Sequence, residues 1–247
     1  MRLDAALVAR GLARSRKQAA ELIAGGAVTI NGDAARKAST AVTEGDLVAA
    51  ASDHYVSRAA HKLLGVLDQT ETAVGGRALD AGASTGGFTQ VLLERGCACV
   101  FAVDVGHGQL APALRADPRV VVREGLNLRD LTLADVGGAP VDVLVADVSF
   151  ISLRLLVGPL LGALQPQGGA LLLVKPQFEV GRGRLDAHGV VTDPALWDEA
   201  VTGVTDAAAA LGWCCDWRGE TTLPGTAGNR EFFVRLRRGP GTVTGAQ

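Results

Sequence analysis

The chain has 247 residues, 48% hydrophobic and 20% charged, with a net charge of −2, which excludes a disordered, collagenous or membrane-spanning protein and suits a folded α/β one. The charge is uneven: residues 1–62 carry nine Lys+Arg against six Asp+Glu and the remainder fifteen against twenty, a small basic head on a mildly acidic body. Cys97 and Cys99 lie as C-A-C, Cys214 and Cys215 as C-C, and the four histidines form no ligand array, so buried thiols and no metal site are expected.

The N-terminus carries Asp4 and Arg10 where a secretory signal needs an apolar core, so a cytoplasmic protein is expected. Leu3, Leu7 and Val8 predict an amphipathic helix that stops at Gly11. Ser15 with Gln18 three residues on forms a capping-box pattern and opens a second helix, whose Ala19, Leu22 and Ile23 face a core. Gly25-Gly26 ends it. V-T-I-N-G-D then places a strand over Val28–Ile30 before an Asn-Gly hairpin turn, and a short strand follows around Leu47 and Val48.

The segments L-A-R-S-R-K-Q-A-A-E-L-I, G-A-V-T-I-N-G and E-G-D, in this order, resemble the S-four-like (alpha-L) RNA-binding domain, over residues 1–50. The resemblance implies phosphate contacts from Arg14, Arg16, Lys17, Arg36 and Lys37, which position an enzyme on RNA with little sequence readout. Residues 51–57 read as a linker, and residues 58–238 as the second domain. Ser57 is the predicted cap of a helix in which Arg58 and Lys62 share a face, Leu63, Leu64 and Leu67 are buried, and Arg58 is counted with the RNA contacts.

R-A-L-D-A-G-A-S-T-G-G-F predicts a strand over Ala78–Ala81, a Gly-rich turn from Gly82 to Gly87 and a helix opening at Phe88. The next strand, V-F-A-V-D-V, ends in Asp104, where a carboxylate can accept from ribose hydroxyls. The turn spells G-x-x-x-G-G in place of G-x-G-x-x-G, which disfavours a dinucleotide-dependent oxidoreductase. The strand Val141–Ala146 runs into Asp147, and the fully apolar Ala170–Val174 runs into Lys175 and Pro176. Central parallel strands are apolar on both faces, and ligands bind outside their carboxyl ends, so Asp147 and Lys175 are predicted on one catalytic floor.

A-L-D-A-G-A-S-T-G-G-F resembles the first motif of S-adenosylmethionine-dependent methyltransferases of the FtsJ type, with Asp80, Asp104, Asn127 and Asp147 following successive strands. S-R-A-A-H-K-L, A-D-V-S-F-I-S-L, L-V-K-P-Q-F-E and G-N-R-E-F-F match the carriers of that type's Lys-Asp-Lys-Glu set, which implies Lys62, Asp147, Lys175 and Glu231 as catalytic residues. With the head in front, residues 2–237 closely resemble the TlyA family of ribosomal RNA methyltransferases. The resemblance implies an α/β fold: a Rossmann-like methyltransferase with a doubly wound, mostly parallel sheet behind a small α+β RNA-binding domain. It implies S-adenosylmethionine bound by Asp80, Gly82, Ser84, Gly86, Gly87, Phe88, Asp104, Asn127 and Asp147, and a cytidine ribose in rRNA of ribosomal subunits as substrate.

Removing the proton of a ribose 2′-OH needs a positioned base, and Lys175 is the candidate. A free lysine ionises near pKa about 10.4; desolvation and a second cation, here Lys62, favour the neutral form, while Asp147 and Glu231 orient the lysines. The Gly-rich segment Val180–Asp193 is read as a lid or RNA-contacting loop with Arg182 and Arg184 on phosphates, and residues 239–247 as a disordered tail. The chain starts at R-L-D and stops soon after its last strand, which places it with the shorter members of the family, those acting on large-subunit rRNA; a monomer is expected. The alternatives are a non-catalytic rRNA-binding assembly factor and the membrane-active haemolysin that family members are also labelled as. The second is disfavoured by the lack of a membrane-spanning stretch or a strongly basic amphipathic helix.

Overall fold

The computed structural model describes residues 1–13, 15–50, 54–225 and 227–239. The chain divides into two compact units, Met1–His54 and Tyr55–Gln247. The smaller unit contains α1 (Leu3–Ala9), α2 (Arg16–Ala24), β1 (Val28–Ile30), β2 (Asp33–Ala34) and β3 (Val48–Ala50), with the strands in the antiparallel order β2-β1-β3. Ser15 is extended and its Oγ accepts the Gln18 N–H at 3.2 Å, which starts α2 where the capping pattern predicts it. Asn31 and Gly32 both have positive φ, +53° and +93°, the conformation that a two-residue hairpin turn demands. Leu3, Leu7, Ala19, Ile23, Val28 and Val48 bury the centre. Leu47, expected in the last strand, precedes it and is exposed.

Asp4 of α1 is buried and accepts from the guanidinium groups of Arg2 and Arg16, which hold its carboxyl down at about 2. Part of the head's positive charge is therefore spent on its own packing.

The larger unit opens with α3 (Ala59–Thr70), β4 (Gly76–Ala81), α4 (Gly87–Glu94), β5 (Cys97–Asp104), α5 (Pro112–Arg115) and β6 (Val120–Glu124). It continues with β7 (Val141–Ala146), α6 (Val157–Gly162), β8 (Leu164–Val174), α7 (Pro176–Glu179), α8 (Pro194–Ala209), β9 (Trp213–Glu220) and β10 (Phe232–Arg238). The sheet order is β6-β5-β4-β7-β8-β10-β9, parallel except that β10 runs antiparallel to both its neighbours. The strand order reverses between β4 and β7, and at such a point the loops at the carboxyl ends part to leave a crevice.

Both faces of the sheet are covered. Leu171 and Leu173 of β8 join a core with Leu63 and Leu67 of α3 and Val91 and Leu92 of α4. Ala170, Leu172 and Val174 join the opposite core with Leu160 of α6 and Val201 and Val204 of α8. Alternate residues of one strand thus enter two cores, which is why β8 reads as an unbroken apolar run.

Several local expectations are revised. α3 begins at Ala59, with Ser57 Oγ accepting the Ala59 N–H at 3.2 Å in the turn before it. Tyr55–Ser57, expected in the linker, belong to the larger unit, where the Val56 N–H donates to Gln90 Oε1 at 2.9 Å; residues 51–53 lie outside the described residues. Only Cys97 is buried among the cysteines, and Cys214 is exposed, because edge strand β9 alternates inward and outward. α8, not among the expected elements, buries Leu196, Ala200, Val201, Val204 and Ala208 at helical spacing, and Asp193-Pro194 caps it, with Asp193 Oδ1 accepting the Ala195 N–H at 2.9 Å. Of the expected tail, residues 240–247 lie outside the described residues.

Candidate active site

The crevice is built first from backbone. The Asp147 N–H donates to Ala81 O at 3.0 Å, so the ends of β4 and β7 lie side by side. Gly82 follows with φ +86°, and a Cβ there would sit 2.5 Å from Asp147 O; no other residue fits. Ser84 takes a left-handed φ of +47° and donates its N–H to Asp104 Oδ2 at 2.8 Å, while the Gly106 N–H donates to Asp104 Oδ1 at 2.7 Å. One carboxylate at the end of β5 thereby fixes the turn after β4 and keeps lone pairs for a ligand's hydroxyls.

Around these residues lies a cavity of about 600 Å³. Gly82, Ser84, Asp104, Asn127 and Asp147 give it polar groups, and Val105, Leu126, Leu128 and Ile151 an apolar wall. That size and mixture suit a nucleoside cofactor. Gln109, unremarked in sequence, also lines it and accepts from Ser84 Oγ at 3.2 Å.

Other expected cofactor residues stand further back. Asp80 is fully buried; its Oδ2 accepts from Thr89 Oγ1 at 2.6 Å and its Oδ1 has no hydrogen-bond partner. Burial pushes its carboxyl up to about 7, the Thr89 bond opposes this, and the charges of Asp147 and Asp104 add to it. Gly86 faces Leu110 and Leu114, Gly87 packs on Ser57 and Ala60, and Phe88 stacks on Phe233 with centroids 6.1 Å apart. Asp80 and Gly86 line neither the large cavity nor its smaller neighbour, whereas Gly87 and Phe88 line the smaller one.

That smaller cavity, of about 220 Å³, brings together Lys62, Asp147, Lys175 and Glu231. The pairing of Val174 with Phe232 sets Lys175, just after β8, beside Glu231, just before β10, and α3 delivers Lys62. Lys62 Nζ meets Glu231 Oε2 at 2.5 Å, with the two side chains 6% and 4% exposed. Lys175 Nζ meets Asp147 Oδ1 at 2.6 Å and donates to Ser149 Oγ at 2.9 Å. The four charges form two ion pairs, each lysine with its own carboxylate. Gly82, Ser84, Asp147 and Ser149 line both cavities, so the Lys175 pair stands where they adjoin. Ser149 is a contact that nothing in sequence singled out.

Arg58 lines the smaller cavity. Arg182 is exposed, while Arg184 is committed to Glu199 at 2.7 Å. The Val180–Asp193 segment is tied down at its far end, where the Val191 N–H donates to the buried Asn229 Oδ1 at 2.9 Å. In the smaller unit Lys17, Arg36 and Lys37 are exposed, Arg16 bonds Asp4 at 2.7 Å, and Arg14 lies outside the described residues.

Comparison with known proteins shows the family of each unit. Residues 55–238 match the model of the FtsJ-like methyltransferases, and residues 1–48 that of the S4 domain. The 16S/23S rRNA (cytidine-2′-O)-methyltransferase TlyA of Mycobacterium tuberculosis is 52% identical over 96% of this chain and 89% of its own length. The 23S rRNA (cytidine-2′-O)-methyltransferase TlyA of Campylobacter jejuni is 34% identical over 78% of this chain and 74% of its own. A haemolysin-labelled protein of known structure from Streptococcus thermophilus is 33% identical, with a TM-score of 0.77 over 98% of this chain and 89% of its own. Among the described residues no helix is long and apolar enough to cross a membrane.

Proposed function

Because the chain belongs to the TlyA family of FtsJ-like methyltransferases, we propose that it methylates the 2′-hydroxyl of a cytidine ribose in ribosomal RNA, using S-adenosylmethionine. The observation that carries this reading is the meeting of Lys62, Asp147, Lys175 and Glu231 around one cavity that shares Asp147 and Ser149 with a nucleoside-sized neighbour.

Gly82, Ser84, Asp104, Asn127 and Asp147 would hold the cofactor, with the Asp104 carboxylate available to its hydroxyls and Val105, Leu126, Leu128 and Ile151 as the apolar wall of its cavity. When bound, S-adenosylmethionine supplies an electrophilic methyl group. The chain's own task is to make a poor nucleophile reactive. Lys175 Nζ, which Asp147 and Ser149 hold in place at 2.6 and 2.9 Å, takes the proton of a ribose hydroxyl at the small cavity when it is the neutral amine. Lys62, paired with Glu231, puts a second positive charge in the same cavity, where it favours the developing oxyanion. Asp80 supports the turn from beneath, through Thr89.

Lys17, Arg36 and Lys37 of the head neutralise phosphates and position the substrate. Both curated relatives described above carry 23S rRNA in their names, so the large subunit is the expected substrate, and the small subunit, which the more similar relative's name adds, is assayed beside it. The test incubates the protein and methyl-labelled S-adenosylmethionine with separated large and small subunits. Label in large-subunit rRNA supports the reading, and label in neither overturns it. A non-catalytic assembly factor would bind subunits without transferring label.

A further inference from the structure

The K-P-Q-F-E motif holds a carboxylate that the proposed chemistry does not use. Glu179 is 8% exposed and sits one helical turn after Lys175, at the end of α7. Its donors come from a single segment, the one that follows Asp147. Ser152 Oγ donates to Glu179 Oε2 at 2.5 Å, the Leu153 N–H donates to Oε1 at 2.7 Å, and Arg154 Nε lies 3.5 Å from Oε2. Arg154 also donates to the Glu179 carbonyl at 3.1 Å.

These bonds complete a ladder between two strand-end segments. Asp147 and Ser149 meet Lys175, Phe150 packs on Phe178 with centroids 5.3 Å apart, and Ser152 and Leu153 meet Glu179. The first rung holds the reacting lysine, and the last is a buried charge. Apolar packing alone would join two loops; a buried carboxylate carries a desolvation cost and compensates by fixing the direction of several donors at once. The Phe178 N–H donates to Lys175 O at 2.9 Å and the Val180 N–H to Pro176 O at 3.1 Å, so the turn between Lys175 and Glu179 is itself stiff. Displacing one end of it displaces the other.

We propose that Glu179 is a positioning residue for methyl transfer, clamping the 147–153 segment onto the 175–179 turn so that Asp147 and Ser149 hold Lys175 in register; the proposal rests on Lys175 being the base. The charged groups that share the small cavity with Lys175 are Asp147 from the segment after β7, Lys62 and Arg58 from α3 and the turn before it, and Glu231 from the approach to β10. Of these, only Asp147 stands on a segment that Glu179 holds.

The full-length protein is assayed as wild type, Glu179→Ala, Glu179→Gln, Ser152→Ala and Lys175→Ala, reading kcat against pH, KM for subunit rRNA, and cofactor affinity by calorimetry. Glu179→Ala is expected to lower kcat by about tenfold to a hundredfold, with KM and cofactor affinity changed by less than about threefold. The acid limb of its kcat profile moves to lower pH, because an ammonium that loses its carboxylate neighbour gives up its proton more readily. Glu179→Gln, which keeps the shape and an acceptor for Leu153, recovers most of kcat, and Ser152→Ala moves the limb in the same direction by less. Should Glu179→Ala fail to fold, Ser152→Ala decides alone. An acid limb that stays in place in both, with Lys175→Ala inactive, overturns the positioning role and leaves Lys175 as base. Turnover retained by Lys175→Ala overturns the base assignment and this proposal with it.

Discussion

Lys62 and Glu231 are 169 positions apart in the chain, and their charged ends meet at 2.5 Å in the floor of the small cavity. Neither side chain is more than 6% exposed, so each is the other's compensation for leaving water. Glu231→Ala would strand a buried ammonium, and a loss of about 3–5 kcal/mol in denaturant unfolding is expected. Removing both charges at similar volume, as Lys62→Met with Glu231→Leu, should cost much less. Equal costs for the single and double changes would contradict a compensated pair.

Gly82 is the tightest backbone approach in the cofactor turn. Gly82→Ala combines a positive φ with a Cβ 2.5 Å from Asp147 O, so both strain and displacement of Asp147 follow. A stability loss of about 1–3 kcal/mol is expected, with weakened cofactor binding by calorimetry. Gly45→Ala, at a position with nothing within 4 Å and no positive φ, is the neutral control.

Asp80 makes stability depend on pH. Its carboxyl ionises at about 7 in the folded chain against a reference value of 3.8. Between those values the folded state keeps a proton that the unfolded state releases, so stability falls as pH rises through the window and stays low above it. Asp80→Asn mimics the protonated form. Its melting temperature should gain on the wild type's from about pH 4 to about pH 7 and hold that gain above, for a free-energy difference on the order of a few kcal/mol. A gain independent of pH would contradict the assignment.

The phosphate contacts proposed for the head are electrostatic and therefore salt-dependent. Replacing Lys17, Arg36 and Lys37 together by Ala should weaken rRNA binding and flatten the plot of log K against log salt by about one unit per lost phosphate contact. An unchanged slope would remove these residues from the RNA contacts.

Lys175 and Asp147 are legible in sequence because a charge is costly within a strand buried on both faces, so a charge ending such a run marks the sheet's edge. Lys62 and Glu231 are named there only through family resemblance, since their meeting depends on the antiparallel return of β10 beside β8. Asp80 and Asp104 look alike in sequence, each a carboxylate near a strand end. Asp80 is one residue short of the end of β4 and turns inward to Thr89, whereas Asp104 is the last residue of β5 and reaches the cavity. Ser149 and Glu179 are invisible for a further reason: their roles lie in contacts between two loops, which have no periodicity to read.

The role of Lys175 as base is tested by nucleoside analysis of ribosomal RNA by mass spectrometry after incubation with S-adenosylmethionine and either the wild type or Lys175→Ala. The wild type is expected to yield 2′-O-methylcytidine and Lys175→Ala none, with cofactor binding by the variant intact. A methyl group on the base, or undiminished 2′-O-methylcytidine from Lys175→Ala, would contradict it.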